Sequence, residues 1–525
     1  MNVDILFVVP SRKPKVKEES IGSLILAKKA QLAGYKVKIV RYWDVDAQPD
    51  INYEKFSKAI IQHIISQKPS IVSFYCRCEE YHICIDLARQ IKLQNLNIII
   101  SFGGPQAELV AKQTLEKFSY IDYVCCSEGE NTIIPFLNST LKNNKGDIQS
   151  LKGLTYRNNH EIYQNVFPDF LDDDYVRDFN YYDLIPKDII YKSDSMPIDV
   201  GRGCPFSCTF CSTKNFWKQK FRLRNIKNTI DEIEYVITNY DIKKFDFKHD
   251  LFTVNKRRII EFCTELENRE LDINWSCDSR IDTIDKETID VMVKHGLYQI
   301  FFGVETGSYR MQQVINKRLD LTKCEEIVKY CIDKGLKVTT SFIYGFPDET
   351  ESDLDATLKM IVKFQNYGCT VLTNLCHILN GTELYYMHRN NLRLTRNTAF
   401  NDSIIAFNYL FDLISQHQDI FASFCDLPTN LREEMKYIDV FRYAMFYANE
   451  LNNEQNDFLL KNDYASFNMY KMFCLANKKD LSITIPASNG DPTNSRHVLK
   501  HLSKDNYQMM IDNLISHILN RNMNK

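Results

Sequence analysis

At 525 residues the chain is too long for one ordinary domain, and length alone argues for three or four. With 44% hydrophobic and 25% charged residues it can bury sizeable cores, and a formal net charge of −3 leaves no overall electrostatic case for nucleic acid or an anionic membrane. Sixteen cysteines in so long a chain are not spaced as a secreted disulfide framework, and no apolar run approaches the ~20 residues that span a bilayer. The short apolar run of MNVDILFVVP reads as a strand and not as a signal peptide. The expectation is a cytoplasmic protein in a reducing setting, where clustered thiols more often bind metal than pair.

The first ~145 residues alternate strands and helices. DILFVVP (4–10) is read as a strand, IGSLILAKKAQLAGY (21–35) as a helix ending at Gly34, and KVKIVRY (36–42) as a strand. FSKAIIQHIISQKP (56–69) is amphipathic, SIVSFYC (70–76) a buried strand, YHICIDLARQIKLQ (81–94) a helix and NIIISFGG (97–104) a strand. YIDYVCCSEGE (120–130) closes the series. Such alternation predicts a parallel sheet covered on both faces, with ligands at the carboxyl ends of its strands.

Residues 149–195 are acidic, aromatic and weakly periodic, and are read as an ordered linker. A second series follows over 196–390. Its strands are MPIDVGRG, KKFDFKHD (243–250), INWSCDSR (273–280), QIFFGVET (299–306), KVTTSFIYG (337–345) and CTVLTNLCHI (369–378), with helical stretches between them. Six βα units predict a partial barrel with its active site at the C-terminal strand ends. Residues 391–525 lose this rhythm and are expected to be mostly helical and to close the barrel mouth. The aromatic stripes of YIDVFRYAMFYANELNN and YASFNMYKMFCLANK read as helix core rather than as a binding box.

Directly after the first barrel strand comes GRGCPFSCTFCS. It places Cys204, Cys208 and Cys211 on one loop above the barrel mouth. Zinc, or coincidence, is the bland reading, but structural zinc usually takes four protein ligands and no second pair lies nearby. Three thiolates on an iron–sulfur cluster leave one iron open. No second cluster motif is present. Cys76, Cys78 and Cys84, with His82, straddle a strand end and a helix start and read as ordinary core, although Arg77 or Cys78 could face a ligand.

The spacing CxxxCxxC, with the aromatic Phe210 before the last cysteine, resembles the radical S-adenosylmethionine (SAM) superfamily. The resemblance implies a 4Fe–4S cluster on Cys204, Cys208 and Cys211 whose open iron holds SAM. Glu305 in GVETGS is then suited to ribose hydroxyls, Arg280 in CDSRID to the methionyl carboxylate, and Asp250 to the amino group. Relatives often carry two acids ahead of a Thr-Phe pair. Here Lys248, His249 and Asp250 precede LFT, so the first acid is replaced. GFPDET (345–350) and LNGTEL (379–384) resemble family turns after the fifth and sixth strands.

Residues 1–148 resemble the Rossmann-like, doubly wound cobalamin-binding domain of one large subfamily. The features are IGSLILAKKAQLAGYKVKIV, Ser73, SFGGPQAE with Gly103 and Gly104, and SEGE with Glu128. Gly103 and Gly104 would let a flat macrocycle lie against backbone. The loop VPSRKPKVKEES has no histidine, so ligation of cobalt by a histidine of this loop is excluded. Cobalamin bound without such a ligand, or loss of the cofactor with the fold kept, are the two readings left.

The resemblance implies a cobalamin-dependent radical SAM enzyme. The leading expectation is a methyltransferase acting on an unactivated carbon or phosphinate-type centre of a natural product or peptide, by way of a 5′-deoxyadenosyl radical and methylcobalamin. The alternatives are a non-methylating cyclisation or rearrangement, and a non-catalytic corrinoid or iron–sulfur redox sensor. A small-molecule or peptide substrate and a reducing partner such as flavodoxin or ferredoxin are expected, with no nucleic acid and no membrane span.

Overall fold

In the computed structural model, residues 2–142, 145–394, 404–427, 429, 431–432, 435–448, 466–478, 481 and 504–523 are described. Two sheets organise the chain. The first holds β1 (Val3–Val9), β2 (Val37–Arg41), β3 (Pro69–Tyr75), β4 (Ile99–Gly103), β5 (Tyr123–Cys125), β6 (Leu154–Asn158) and β7 (Glu161–Gln164), in the order β2-β1-β3-β4-β5-β6-β7. β1 to β5 are parallel, and Ile5 through Val9 of β1 are buried, as an apolar strand between two neighbours must be. From β1 the chain moves one way to β2 and the other way to β3. That reversal opens a crevice at the carboxyl ends of β1 and β3, where Phe7 lies opposite Ser73.

The stretch 149–195 is more than a linker. β6 and β7 form a hairpin that extends the first sheet antiparallel to β5. Its turn residues Asn159 and His160 both have positive φ, 48° and 76°, the backbone of a two-residue hairpin turn. Neither is glycine, so the usual sequence signal for such a turn is missing.

The second sheet holds β8 (Met196–Asp199), β11 (Lys244–Lys248), β12 (Asn274–Ser279), β13 (Leu297–Glu305), β14 (Lys337–Tyr344) and β15 (Thr370–Leu375), all parallel and in chain order. A two-stranded ribbon of β9 (Gly201–Arg202) and β10 (Arg222–Leu223) brackets the cysteine loop. Helices cover the outer face, where Trp275 is fully buried, stacks on Phe247 at 4.9 Å and donates its indole N–H to His295 O at 2.7 Å. The inner face carries Asp246, Lys248, Ser276 and Asp278, opposite in the alternation to the core residues Phe245, Phe247, Trp275 and Cys277.

The tail divides in two. Ala406, Phe407, Leu410, Ile414, Ile420, Phe421 and Phe424 pack into the core of the first sheet, beside the helices Tyr53–Ser66 and Tyr81–Gln94. The helices Ile438–Ala448, Phe467–Ala476 and Lys504–Met523 instead pack on Glu351–Asn366 of the second sheet, burying Phe441, Tyr470 and Phe473. The aromatic stripes are therefore helix core where they are described; 449–453 of the first and 464–465 of the second lie outside the described residues. No described helix is long and apolar enough to cross a membrane.

Candidate active site: the cysteine loop and the cleft between the sheets

The cysteine loop starts with a forced glycine. Gly203 has φ 87°, and a Cβ there would stand 1.9 Å from Lys220 O. Beyond it the loop is held by main chain more than by side chains. Thr209 N–H donates to Ile315 O at 3.0 Å, Thr209 O accepts from Leu384 N–H at 3.0 Å, and Cys211 N–H donates to Cys208 O at 3.2 Å. Asn316 Nδ2 donates to Ser207 O at 3.0 Å, and Asp250 Oδ2 accepts from Gly203 N–H at 2.9 Å.

This leaves the three thiols free and half-buried. Burial pushes the Cys204 thiol up to about 11, and raises Cys208 against the pull of Lys317 and Arg280. Arg280 Nη1 lies 3.6 Å from Cys208 Sγ, and its guanidinium stacks 3.8 Å over Phe206. Three half-buried cysteines on one loop, beside two buried cations, fit a bound iron centre. Iron displaces the protons, and the cations offset the thiolate charge. The sulfurs do not converge on a single-ion point. A cluster does not require it, because each thiolate takes a different iron.

Around the loop, Arg280 sets its paired edge on Asp282, with Nε and Nη2 at 2.9 and 2.8 Å, and Nη2 also reaches Lys317 O at 2.7 Å. Glu305 sits at a bulge at the end of β13 with φ 73°, a conformation costly for a side chain other than glycine. Its Oε1 meets Lys317 Nζ at 2.7 Å, both groups being buried. Phe210 turns into an apolar cluster with Phe346 (ring centroids 5.8 Å apart), Met311, Ile315, Ile378 and Leu384.

Facing the barrel mouth is the crevice of the first sheet. Between them lies a cleft of about 600 Å³, lined by Phe7, Ser73, Gly103 and Gly104 on one side and by Trp217, Lys248, Asp250 and Asp278 on the other. The two glycines differ. Gly104, with φ 101°, would place a Cβ 2.9 Å from Cys76 O, so its need is a turn. A Cβ on Gly103 would meet nothing nearer than Cys125 O at 3.7 Å, so its bare face is surface offered to the cleft. A flat ligand lying on backbone fits this wall.

Glu128 borders the cleft, but its carboxylate is bound elsewhere. It takes Arg202 Nη1 and Arg222 Nη1, each at 2.8 Å, and Leu171 N–H at 2.6 Å. Arg202 also pairs with Glu130 and Asp199, and the surrounding Arg177, Arg202 and Arg224 hold the Asp199 carboxyl down at about 2 against its burial. This ion network joins the first sheet to the ribbon that leads into the cysteine loop. His249 is structural: Nδ1 accepts from Leu251 N–H at 2.7 Å, and Nε2 faces Arg222 O at 3.2 Å.

The structure thus brings Ser73, Gly103, Gly104, Glu128 and Asp250 to one cleft, and Arg280 and Glu305 to the flank of Cys204, Cys208 and Cys211. Sequence reasoning missed Asn316, Lys317, Arg202, Arg222 and Asp278. Arg202, inside the GRG segment, and Asp278, inside CDSRID, stood near a readable signal.

The family models agree with this geometry. Residues 198–361 match the radical SAM superfamily and residues 9–135 the B12 binding domain. An uncharacterized methyltransferase of Pyrococcus horikoshii is 30% identical over 335 residues, covering 63% of this chain and 72% of that protein. The chain is a B12-binding member of the radical SAM superfamily. This enzyme's cofactors are accordingly a 4Fe–4S cluster, SAM and cobalamin. It is also 26% identical over 336 residues to an anaerobic magnesium-protoporphyrin IX monomethyl ester cyclase of Cereibacter sphaeroides, and spans 54% of that cyclase's length. The cobalamin-dependent radical enzyme OxsB, solved with aqua-cobalamin, shares the enzyme's fold with a TM-score of 0.62 at 15% identity, over 98% of this chain and 80% of that one. The methyltransferase TsrM of Kitasatospora setae, solved with cobalamin and a 4Fe–4S cluster, does so with a TM-score of 0.58 at 14% identity, over 73% and 74%.

Proposed function

We propose that the enzyme is a methyltransferase that moves a methyl group to an unactivated carbon or phosphinate-type centre of a small molecule or peptide. One observation carries this reading: the bare wall of Gly103 and Ser73 and the barrel mouth beside the cysteine loop line a single cleft, so a corrinoid on one side and a cluster-bound nucleotide on the other would meet one substrate. Bound there, the cluster and SAM supply hydrogen-atom removal, and the corrinoid carries the methyl group.

The protein's own residues hold and orient. Cys204, Cys208 and Cys211 are the proposed cluster ligands, with Arg280 and Lys317 as fixed cations against Cys208. Glu305 uses Oε1 on Lys317 and makes no hydrogen bond through Oε2 among the described residues, which leaves that oxygen for ribose hydroxyls. Asp250 binds Gly203 N–H through Oδ2 and keeps its Oδ1 edge toward the cleft, near Thr213 Oγ1 at 3.4 Å. Arg280 fixes the loop through Cys208 and presents no free pair of donors, so its proposed contact with the methionyl carboxylate is through Nη1 alone. Phe210 shapes the apolar floor behind the cysteines. Trp217 and Phe216 line the cleft beside the ribbon and help exclude water. A small reducing protein of the flavodoxin or ferredoxin type is the proposed electron source.

The test is anaerobic incubation of the cluster- and corrinoid-loaded enzyme with SAM and reductant. Methyl transfer predicts S-adenosylhomocysteine in a burst equal to the bound corrinoid, alongside 5′-deoxyadenosine. Deoxyadenosine with no S-adenosylhomocysteine contradicts methyl transfer and leaves cyclisation or rearrangement.

A further inference from the structure

The charged groups at the barrel mouth are almost all paired. Asp199 meets Arg177 and Arg202, Glu128 meets Arg202 and Arg222, Glu305 meets Lys317, Arg280 meets Asp282, and Asp250 binds the main chain. Two are not. Among the described residues neither the Lys248 nor the Asp278 side chain makes a hydrogen bond or an ion pair within 4.0 Å, although both line the cleft. Both are solvent-accessible, and the surface they show is cleft surface.

Their placement follows from register. Asp246 of β11 lies opposite Ser276 of β12. Two residues further along each strand come Lys248 and Asp278, on the same inward face and one strand spacing apart, about 4.8 Å between backbones. Asp246 deeper in the barrel is held by Ser195 and Ser276, at 2.7 and 2.9 Å, so the open pair begins only at the mouth. The cleft enclosing Asp278 makes its ionisation costly. Burial pushes the carboxyl up to about 6, with Asp250 and Asp246 adding to the rise and Lys248 opposing it. An ammonium ion arriving beside it would relieve that cost.

Resting on the methyltransferase reading above, we infer that Lys248 and Asp278 form the polar anchor of the substrate, and that the substrate is a compact zwitterion of the amino-acid kind. Its carboxylate meets Lys248 and its ammonium meets Asp278. In such a molecule the two charged groups flank one carbon, which matches an anchor built from adjacent residues on neighbouring strands. A neutral or singly charged substrate would leave one of the two protein charges without a partner, and so would bind more weakly. The anchor fixes one end of the substrate and leaves its side chain to face the cleft.

The experiment is ligand-observed NMR on the full-length holoenzyme, with SAM present to fill its own site and no reductant. The probes are a pool of free L-amino acids, the same pool N-acetylated, and the same pool as carboxamides. The expected result is that at least one free amino acid binds, that acetylation or amidation abolishes its signal, and that Lys248→Met and Asp278→Asn each weaken it about tenfold or more. Iron and corrinoid contents of both variants should equal the parent's. The inference is overturned if no free amino acid binds, if masked pools bind equally well, if the variants bind unchanged, or if either variant loses its corrinoid, which would assign the pair to the cofactor. The S-adenosylhomocysteine burst uses no added substrate, so failure here leaves the methyl-transfer test standing, and the reverse.

Discussion

The cysteine loop and the Ser127–Glu130 turn both meet the strand Gly201–Arg202, yet they treat polar groups in opposite ways. Around Glu128 both carboxylate oxygens are matched: they take Arg202, Arg222 and the Leu171 N–H, and Arg202 goes on to Glu130 and Asp199, while Arg222 keeps Nε and Nη2 buried without a partner among the described residues. Around the cysteines, the loop is fixed mostly through Thr209, Ser207 and Gly203 instead, none of the sulfurs is in a disulfide, and only Cys208 meets a donor, Arg280 Nη1. Carboxylates and guanidinium groups turned on one another in this way hold two sheets together. A loop pinned by its backbone can present three side chains to something else. The difference separates a joint from a site more sharply than residue type does, since acids and arginines are common to both regions.

The contrast can be broken at several points. Replacing Cys204, Cys208 or Cys211 by alanine should abolish cluster binding and SAM cleavage while leaving the fold intact, read by iron content and circular dichroism. Glu128→Ala leaves the buried Arg222 guanidinium without its carboxylate, while Arg202 keeps Glu130 and Asp199, and should cost about 3–5 kcal/mol of stability in denaturant unfolding. The same measurement on a cysteine variant should show little change.

A third place sharpens the comparison. Glu349, after β14, takes Gly345 N–H through Oε2 at 2.6 Å, while Oε1 is buried with no hydrogen-bond partner among the described residues, and burial pushes the carboxyl up to about 8. A carboxyl raised in the folded state holds its proton longer there than in the unfolded chain. Stability should therefore fall as pH rises from about 4.5 to about 8, by up to a few kcal/mol. Glu349→Gln should flatten that fall in thermal unfolding followed across the window. The smallest effect is expected from Asn316→Ala, which removes the clasp on Ser207 and keeps all three thiols. It should cost about 1 kcal/mol and speed the loss of iron to a chelator, with the initial iron content unchanged.

How much of this was legible depends on how far apart in sequence the partners lie. The three cysteines fall within eight residues, and Arg280 and Glu305 fall at strand ends that the βα rhythm marks, so the loop and its flank could be read directly. Asn316 and Lys317 sit about a hundred residues away, in a turn with no motif, and only the packed barrel sets them against the cysteine loop. Glu128 was readable as part of a glycine-rich acidic turn, but nothing local pairs it with Arg202 and Arg222. The β6–β7 hairpin escaped because Asn159 and His160 take a turn that glycine usually marks. In the tail, loss of the βα rhythm let 391–525 be read as mostly helical, but not which surface 404–424 covers. That surface is the first sheet, whereas closure of the barrel mouth had been expected for 391–525 as a whole.

The central claim is a cluster on three thiols and a corrinoid on the opposite wall of one cleft. The most direct measurement is the iron, sulfide and corrinoid content of the full-length protein, prepared without oxygen and reconstituted, beside a variant with all three cysteines as alanine. The account predicts a cluster's worth of iron and sulfide with bound corrinoid in the parent, and corrinoid without iron in the variant. Iron kept by the variant, or no corrinoid held by the parent, would contradict it.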